Sequence, residues 1–149
     1  MTILETAIKS GKEIDILCIG TPKIFGDAIG PMVGTILKRQ KVKANVIGSL
    51  DAPVISSTYD NCIKQIRPGS FVVVVDAGIS SKGKSLCVYD GPTRPGLAIR
   101  NDIPPIGDVS ITCYTGKDID ELLECDLHYV HTTAHLIAND LITIIGLYI

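Results

Sequence analysis

Two aspartates stand where chemistry is expected. Asp27 lies in "IFGDAIGP" (24–31), between Gly26 and Ala28, with Gly30 and Pro31 close behind. Asp76 directly follows four consecutive valines in "FVVVVDA" (71–77). Each acid follows an apolar run, the first of them "DILCIG" (15–20). A carboxylate behind such a run is costly to bury unless it has a partner. Two carboxylates brought together push one pKa up, which leaves an acid and a base in one cleft. Such a pair can activate water against a carbonyl, and it can also share a divalent cation.

The plainer role for Asp27 is a helix N-cap. Pro31 argues against it. With Asp27 as cap, Pro31 falls at the fourth helical position, where its missing N–H removes the first intrahelical bond. The spacing therefore predicts Gly30 as the cap and Pro31 as the first helical residue, with Asp27 free in the loop. For Asp76 the plain alternative is a turn or cap acid.

These acids need elements to hold them. "DILCIG" reads as a buried strand ending in glycine, and "PMVGTILKRQ" (31–40) as a helix with Met32, Val33, Ile36 and Leu37 at helical spacing. "KANVIGSL" (43–50) reads as a strand. "STYDNCIKQI" (57–66) reads as a helix capped by Ser56 or Ser57. The valine run lacks polar alternation, as in the middle of a parallel sheet. Strand, helix, strand, helix, strand predicts right-handed βαβ units. "SLCVYD" (85–90) follows too soon for a parallel crossover, so it should run antiparallel. "VSITCYT" (109–115) is a further strand, "KDIDELLE" a helical turn or two, and "LHYVHTTAHLIANDLITIIGLYI" (127–149) a closing helix. Ligands of such open sheets collect at the carboxyl ends of strands where the strand order reverses, and the first and third strands flank that point.

Three other patterns compete. "GISSKGKS" (78–85) matches the phosphate-binding loop GxxxxGK[ST], but a strand-like run follows where that loop needs a helix. His128, His131 and His135 are all the histidines, and their spacing puts them on one helix face. They are read as a polar face rather than as metal ligands. The loop "GPTRPGLAIRNDIPPIGD" (91–108) brings Arg94, Arg100 and Asn101 to a glycine- and proline-rich segment that suits a cleft wall or a surface lid.

With 149 residues the chain is expected to form one domain, 1–149, with a large core. A net charge of −2 gives no electrostatic case for binding nucleic acid or an anionic membrane. The five cysteines are odd in number and show no CxxC pair, so they read as reduced thiols of a cytosolic protein. "MTILETAIKSGKE" lacks the pattern of a signal peptide. The last apolar run, broken by Asn139 and Asp140, reads as a core helix whose apolar surplus suggests a homodimer.

"CIGTPKIFGDAIGPMVG", "VVVVDAG" and "GPTRPGLAIRNDIPPIGDVSIT", in that order, resemble the YyaC-type sporulation proteins of spore-forming bacteria. The likeness runs from about Ile16 to Thr115. More distantly the same order resembles the germination protease and the hydrogenase-maturation endopeptidases. The resemblance implies an α/β three-layer sandwich around a mixed, mostly parallel five-stranded sheet. It implies catalytic roles for Asp27 and Asp76, since the germination protease has its acid pair at the matching places. In the maturation endopeptidases the corresponding acids bind a metal with a histidine, which has no match in this sequence. The resemblance also implies a cytoplasmic setting in the developing spore or mother cell.

The expectation is thus a peptidase-like cleft that hydrolyses a peptide bond of a protein or peptide substrate. Amides of the Gly26–Gly30 turn would stabilise the oxyanion, and Thr21, Asp51, Arg100, Asn101 and Asp102 would bind substrate. No cofactor is expected, with a divalent cation between Asp27 and Asp76 as the variant reading. The alternative is an inactive sporulation protein that uses the same cleft to bind a peptide or small ligand.

Overall fold

The computed structural model describes residues 2–95 and 102–148. In chain order the elements are α1 (Thr2–Lys9), β1 (Ile14–Cys18), a single 3₁₀ turn (Phe25–Asp27), α2 (Ile29–Arg39) and β2 (Asn45–Ile47). Then come α3 (Tyr59–Ile63), β3 (Phe71–Ile79), β4 (Ser85–Asp90), β5 (Val109–Gly116), α4 (Ile119–Glu124) and α5 (Leu127–Tyr148). The five strands form one sheet in the order β2-β1-β3-β5-β4. All neighbours run parallel except β4, which is antiparallel to β5. The mixed, mostly parallel five-stranded sheet is the one expected.

β3 is central, and Phe71 to Ala77 are buried on both faces. Its residues alternate between two cores. Val73 and Val75 join Ile16, Cys18, Val33 and Leu37 under α1, α2 and α5. Val72 and Val74 join Leu17, Ile19 and Val54 under α3 and the segment around Ile103. Helices or loops thus cover both faces, which is why the valines need no polar alternation. The apolar residues of α5 are largely spent inside: Val130, Ala134, Ile137, Leu141 and Ile145 are all buried.

The edge of the fold away from the strands' carboxyl ends is fixed by an ion pair that the sequence did not announce. Asp15 on β1 is fully buried. Its Oδ1 accepts from Arg67 Nε at 2.7 Å and its Oδ2 from the Arg67 backbone N–H at 2.7 Å. Arg67 Nη2 also donates to the Ile14 carbonyl at 2.8 Å.

Several local expectations are corrected. α1 was not foreseen, although Leu4, Ala7 and Ile8 recur at helical spacing and are buried. α2 begins two residues earlier than Pro31, with Ala28 rather than Gly30 at its cap. Pro31 is the third helical residue, and the first i→i−4 bond is donated by Met32 to the Ala28 carbonyl at 3.0 Å. The proline costs no hydrogen bond there, because the first N–H groups of a helix have no intrahelical acceptor. α3 is shorter than expected, and Thr58 stands at its cap without a side-chain bond to the helix, its hydroxyl turned back to Pro53 and Ile55. After Ser85 comes strand β4, not a helix, so 78–85 is no phosphate-binding loop.

Candidate functional site

The order β2-β1-β3 means that the chain moves to one side of β1 and then returns to the other. The β1–β3 junction is therefore the switch point of the sheet, and its carboxyl ends form the crevice. β1 leaves the ladder at Cys18, opposite Val75. Asp76 is the next residue of β3, at the point where its neighbour strand ends.

The chain then turns over the end of β1 in very little space. Gly20 has φ +146°, and a Cβ there would collide with the Asp27 carbonyl oxygen. A Cβ on Gly26 would collide with the Leu122 carbonyl of α4. The glycines of "FGDAIGP" and of the preceding strand end are thus required by close backbone approach. From β5, Thr115 Oγ1 donates to the Gly26 carbonyl at 2.9 Å and ties the turn down. Thr115 was not among the expected site residues. Its place at the end of β5, on the same edge as Asp76, is the signal that would have found it.

Asp27 is buried and does not cap α2, which has no side-chain cap bond. Its Oδ2 instead accepts from the Thr21 N–H at 3.0 Å. Burial pushes its pKa from the ordinary 3.8 up to about 6, and the Thr21 bond only partly offsets that. The acid lines a cavity of about 200 Å³ whose other walls are Ile24, Ala77, Gly78, Ile119, Leu122 and Leu123. Among the described residues, Asp27 is the only ionisable group in that lining. Three wall residues belong to α4, where the spacing of Ile119, Leu122 and Leu123 gives one apolar face. The sequence showed that helix but not where it docks.

Asp76 is also buried, and its Oδ1 accepts from the Ala77 N–H at 2.8 Å. By strand alternation its side chain lies on the face of Val72 and Val74. The two acids therefore reach the switch point by different routes. Asp27 comes down from the turn, and Asp76 from the sheet, next to the cavity residues Ala77 and Gly78.

The other expected residues divide. Thr21 is part of the site through its bond to Asp27. Among the turn amides, those of Asp27 and Ala28 donate to the carbonyls of Ile24 and Phe25 at 2.9 and 3.0 Å. Gly30 sits at the second position of α2, where an N–H has no intrahelical acceptor. Asp51 lines a separate depression with Lys38, Arg39 and Ser49, and accepts from Ser49 Oγ at 2.7 Å. Asp102 lines another with Tyr59, Ile63 and Ile106. Arg100 and Asn101 lie outside the described residues.

The histidines stand on α5. His131 and His135 stack with ring centroids 4.2 Å apart, and His135 Nδ1 lies 2.9 Å from the His131 carbonyl oxygen. Among the described residues no group of three or more His, Cys, Asp or Glu is placed to hold a metal ion. Also among the described residues, no helix is long and apolar enough to cross a membrane.

Known proteins are similar to this chain in fold and in sequence. The crystal structure of the NiFe hydrogenase maturation protease HycI from Thermococcus kodakarensis KOD1 aligns with a TM-score of 0.53, covering 93% of this chain and 98% of that one at 22% identity. The likeness is one of fold: this is the α/β architecture of a hydrogenase maturation protease. The "Uncharacterized protein YyaC" of Bacillus subtilis (strain 168) is 37% identical over 119 residues, which take in 74% of this chain. The match spans 58% of the length of that relative. Residues 1–140 match the model of the family described as "Protein of unknown function (DUF1256)". The chain belongs to that family.

Proposed function

We propose that this protein is a peptidase-like hydrolase whose cleft lies over the β1–β3 switch point. The observation that supports this most is the Asp27 carboxyl, buried beside an apolar cavity with its pKa pushed up to about 6. Such a group holds its proton up to about pH 6, where an ordinary aspartate has lost it, and gives it up readily, as a general acid must. Asp76, on β3 at the same switch point, is the base. Asp76 takes a proton from water while the water oxygen bonds to the peptide carbonyl carbon. The Gly30 N–H faces the developing oxyanion. Asp27 then protonates the leaving nitrogen as the C–N bond breaks.

The walls contributed by Ile119, Leu122 and Leu123 suit an apolar side chain of a peptide or protein substrate. The sporulation setting and a location in the developing spore or mother cell rest on the motif resemblance alone.

The test is cleavage of a peptide panel that carries either apolar or charged side chains at each position. Wild-type protein should cut apolar-containing peptides. Asp27→Asn and Asp76→Asn, each shown to be folded, should lower kcat at least about 100-fold. A folded double variant with undiminished cleavage would overturn the acid pair. A wild-type protein that binds these peptides and cuts none would make the cleft a binding site instead.

A further inference from the structure

Beside Asp76 the sheet holds a polar group with nothing to bond. Thr112 on β5 is the register partner of Asp76 across the parallel β3–β5 ladder. Paired residues of neighbouring strands point to the same face, so the two side chains are neighbours. Thr112 is 8% exposed, and its Oγ1 is buried with no hydrogen-bond partner. Its surroundings offer reasons to expect otherwise. Ser110, two residues earlier on the same face, donates to the Gly91 carbonyl at 2.7 Å. Thr115 near the strand end donates to Gly26. Of these three hydroxyls of β5, only that of Thr112 is idle.

An idle buried hydroxyl is expensive, since it has given up water and received nothing. Valine has nearly the same shape and would avoid the cost. A threonine at such a place has its use where a neighbouring group carries charge. The nearest group whose charge changes in the proposed reaction is Asp76, directly opposite.

We propose that Thr112 is a positioning residue for Asp76, its hydroxyl turning to donate to the Asp76 carboxylate when that group works as a base. A change of its χ1 rotamer would carry the Thr112 oxygen toward the carboxylate, and the O–H can then turn about its C–O bond to follow the charge. A donor to the ionised form holds one carboxylate oxygen in place and leaves the other for water. The proposal takes the role of Asp76 from the acid-pair reading, but its geometry stands on Thr112 and the ladder.

Thr112→Val removes the hydroxyl and keeps the shape, whereas Thr112→Ser keeps the hydroxyl. The first measurement is the Asp76 carboxyl ¹³C signal at one pH, in protein labelled on aspartate, assigned by its loss in Asp76→Asn. It should move in Thr112→Val and return to the wild-type position in Thr112→Ser. An Asp76 signal identical in all three proteins would overturn the proposal, whether or not the wild type cuts peptides. The second is thermal melting. Thr112→Val should melt at or above the wild-type temperature, and a large fall would make the hydroxyl a structural bond and overturn the proposal. On a cleaved peptide, Thr112→Val should lower kcat about tenfold with KM unchanged, and Thr112→Ser should restore it.

Discussion

Replacing Asp27 by asparagine should make the protein more stable above pH 6. The native acid has its pKa raised from 3.8 to about 6, chiefly by burial. Between those values the folded protein holds a proton that the unfolded chain has released. Stability linked to this group is therefore fully present below about pH 4 and is lost as pH rises through about 6. Above that, the fold carries a buried charge. Each pKa unit is worth about 1.4 kcal/mol, so the full cost is roughly 3 kcal/mol. Asparagine keeps an oxygen for the Thr21 N–H and has no charge to bury. The difference between Asp27→Asn and wild type should be near zero at pH 4 and reach roughly 2–3 kcal/mol at pH 8, or roughly 5–10 °C in melting temperature. Melting curves at a series of pH values read this directly. A variant less stable than wild type at pH 8 would make Asp27 a structural acid. A site that stores cost in this way is what function, rather than folding, would retain.

At the far edge of β1 the expected effect is larger and opposite in sign. Arg67→Ala strips the guanidinium from Asp15, which is fully buried and takes bonds from Arg67 Nε and from the Arg67 backbone. It also removes the donor to the Ile14 carbonyl. A buried charge left without its partner costs about 3–5 kcal/mol. The Arg67 side chain is 38% exposed, so the lower part of that range applies. In urea the midpoint should fall accordingly with little change in slope. The double variant Asp15→Leu with Arg67→Met should recover much of the loss, because an apolar pair of similar volume avoids the buried charge altogether. A loss below about 1 kcal/mol for Arg67→Ala would mean that the pair behaves as a surface ion pair. Neither Asp15 nor Arg67 borders the Asp27 cavity, so this loss should leave the site chemistry intact in the protein that remains folded.

The parts of the fold that were legible in the sequence are those fixed by local pattern. The four valines could only be a buried strand. The short link before Ser85 forced β4 to run antiparallel. The freedom of Asp27 from capping was also legible, though through an argument only partly right. Pro31 does mark the start of α2, but as its third residue, because a helix tolerates a missing N–H anywhere in its first turn. What was not legible depends on docking. "KDIDELLE" reads as a helix from its own residues, but nothing in it says that Leu122 closes over Gly26 and walls the Asp27 cavity. The Asp15–Arg67 pair joins residues 52 positions apart, beyond any local spacing rule. Asp51 sits near the end of β2 and was expected to bind substrate, yet it turns to Ser49 in a different depression. Thr112 was invisible for a similar reason. Its significance lies in the register with Asp76, which only the assembled sheet supplies.

The claim on which the account turns is that Asp27 is a proton-carrying acid and not a turn residue. The most direct measurement is a pH titration of its carboxyl carbon by ¹³C NMR in unmodified protein labelled on aspartate, with Asp27→Asn identifying the signal. The account predicts a midpoint near 6. A midpoint at the ordinary value for an aspartate, near 4, would contradict it.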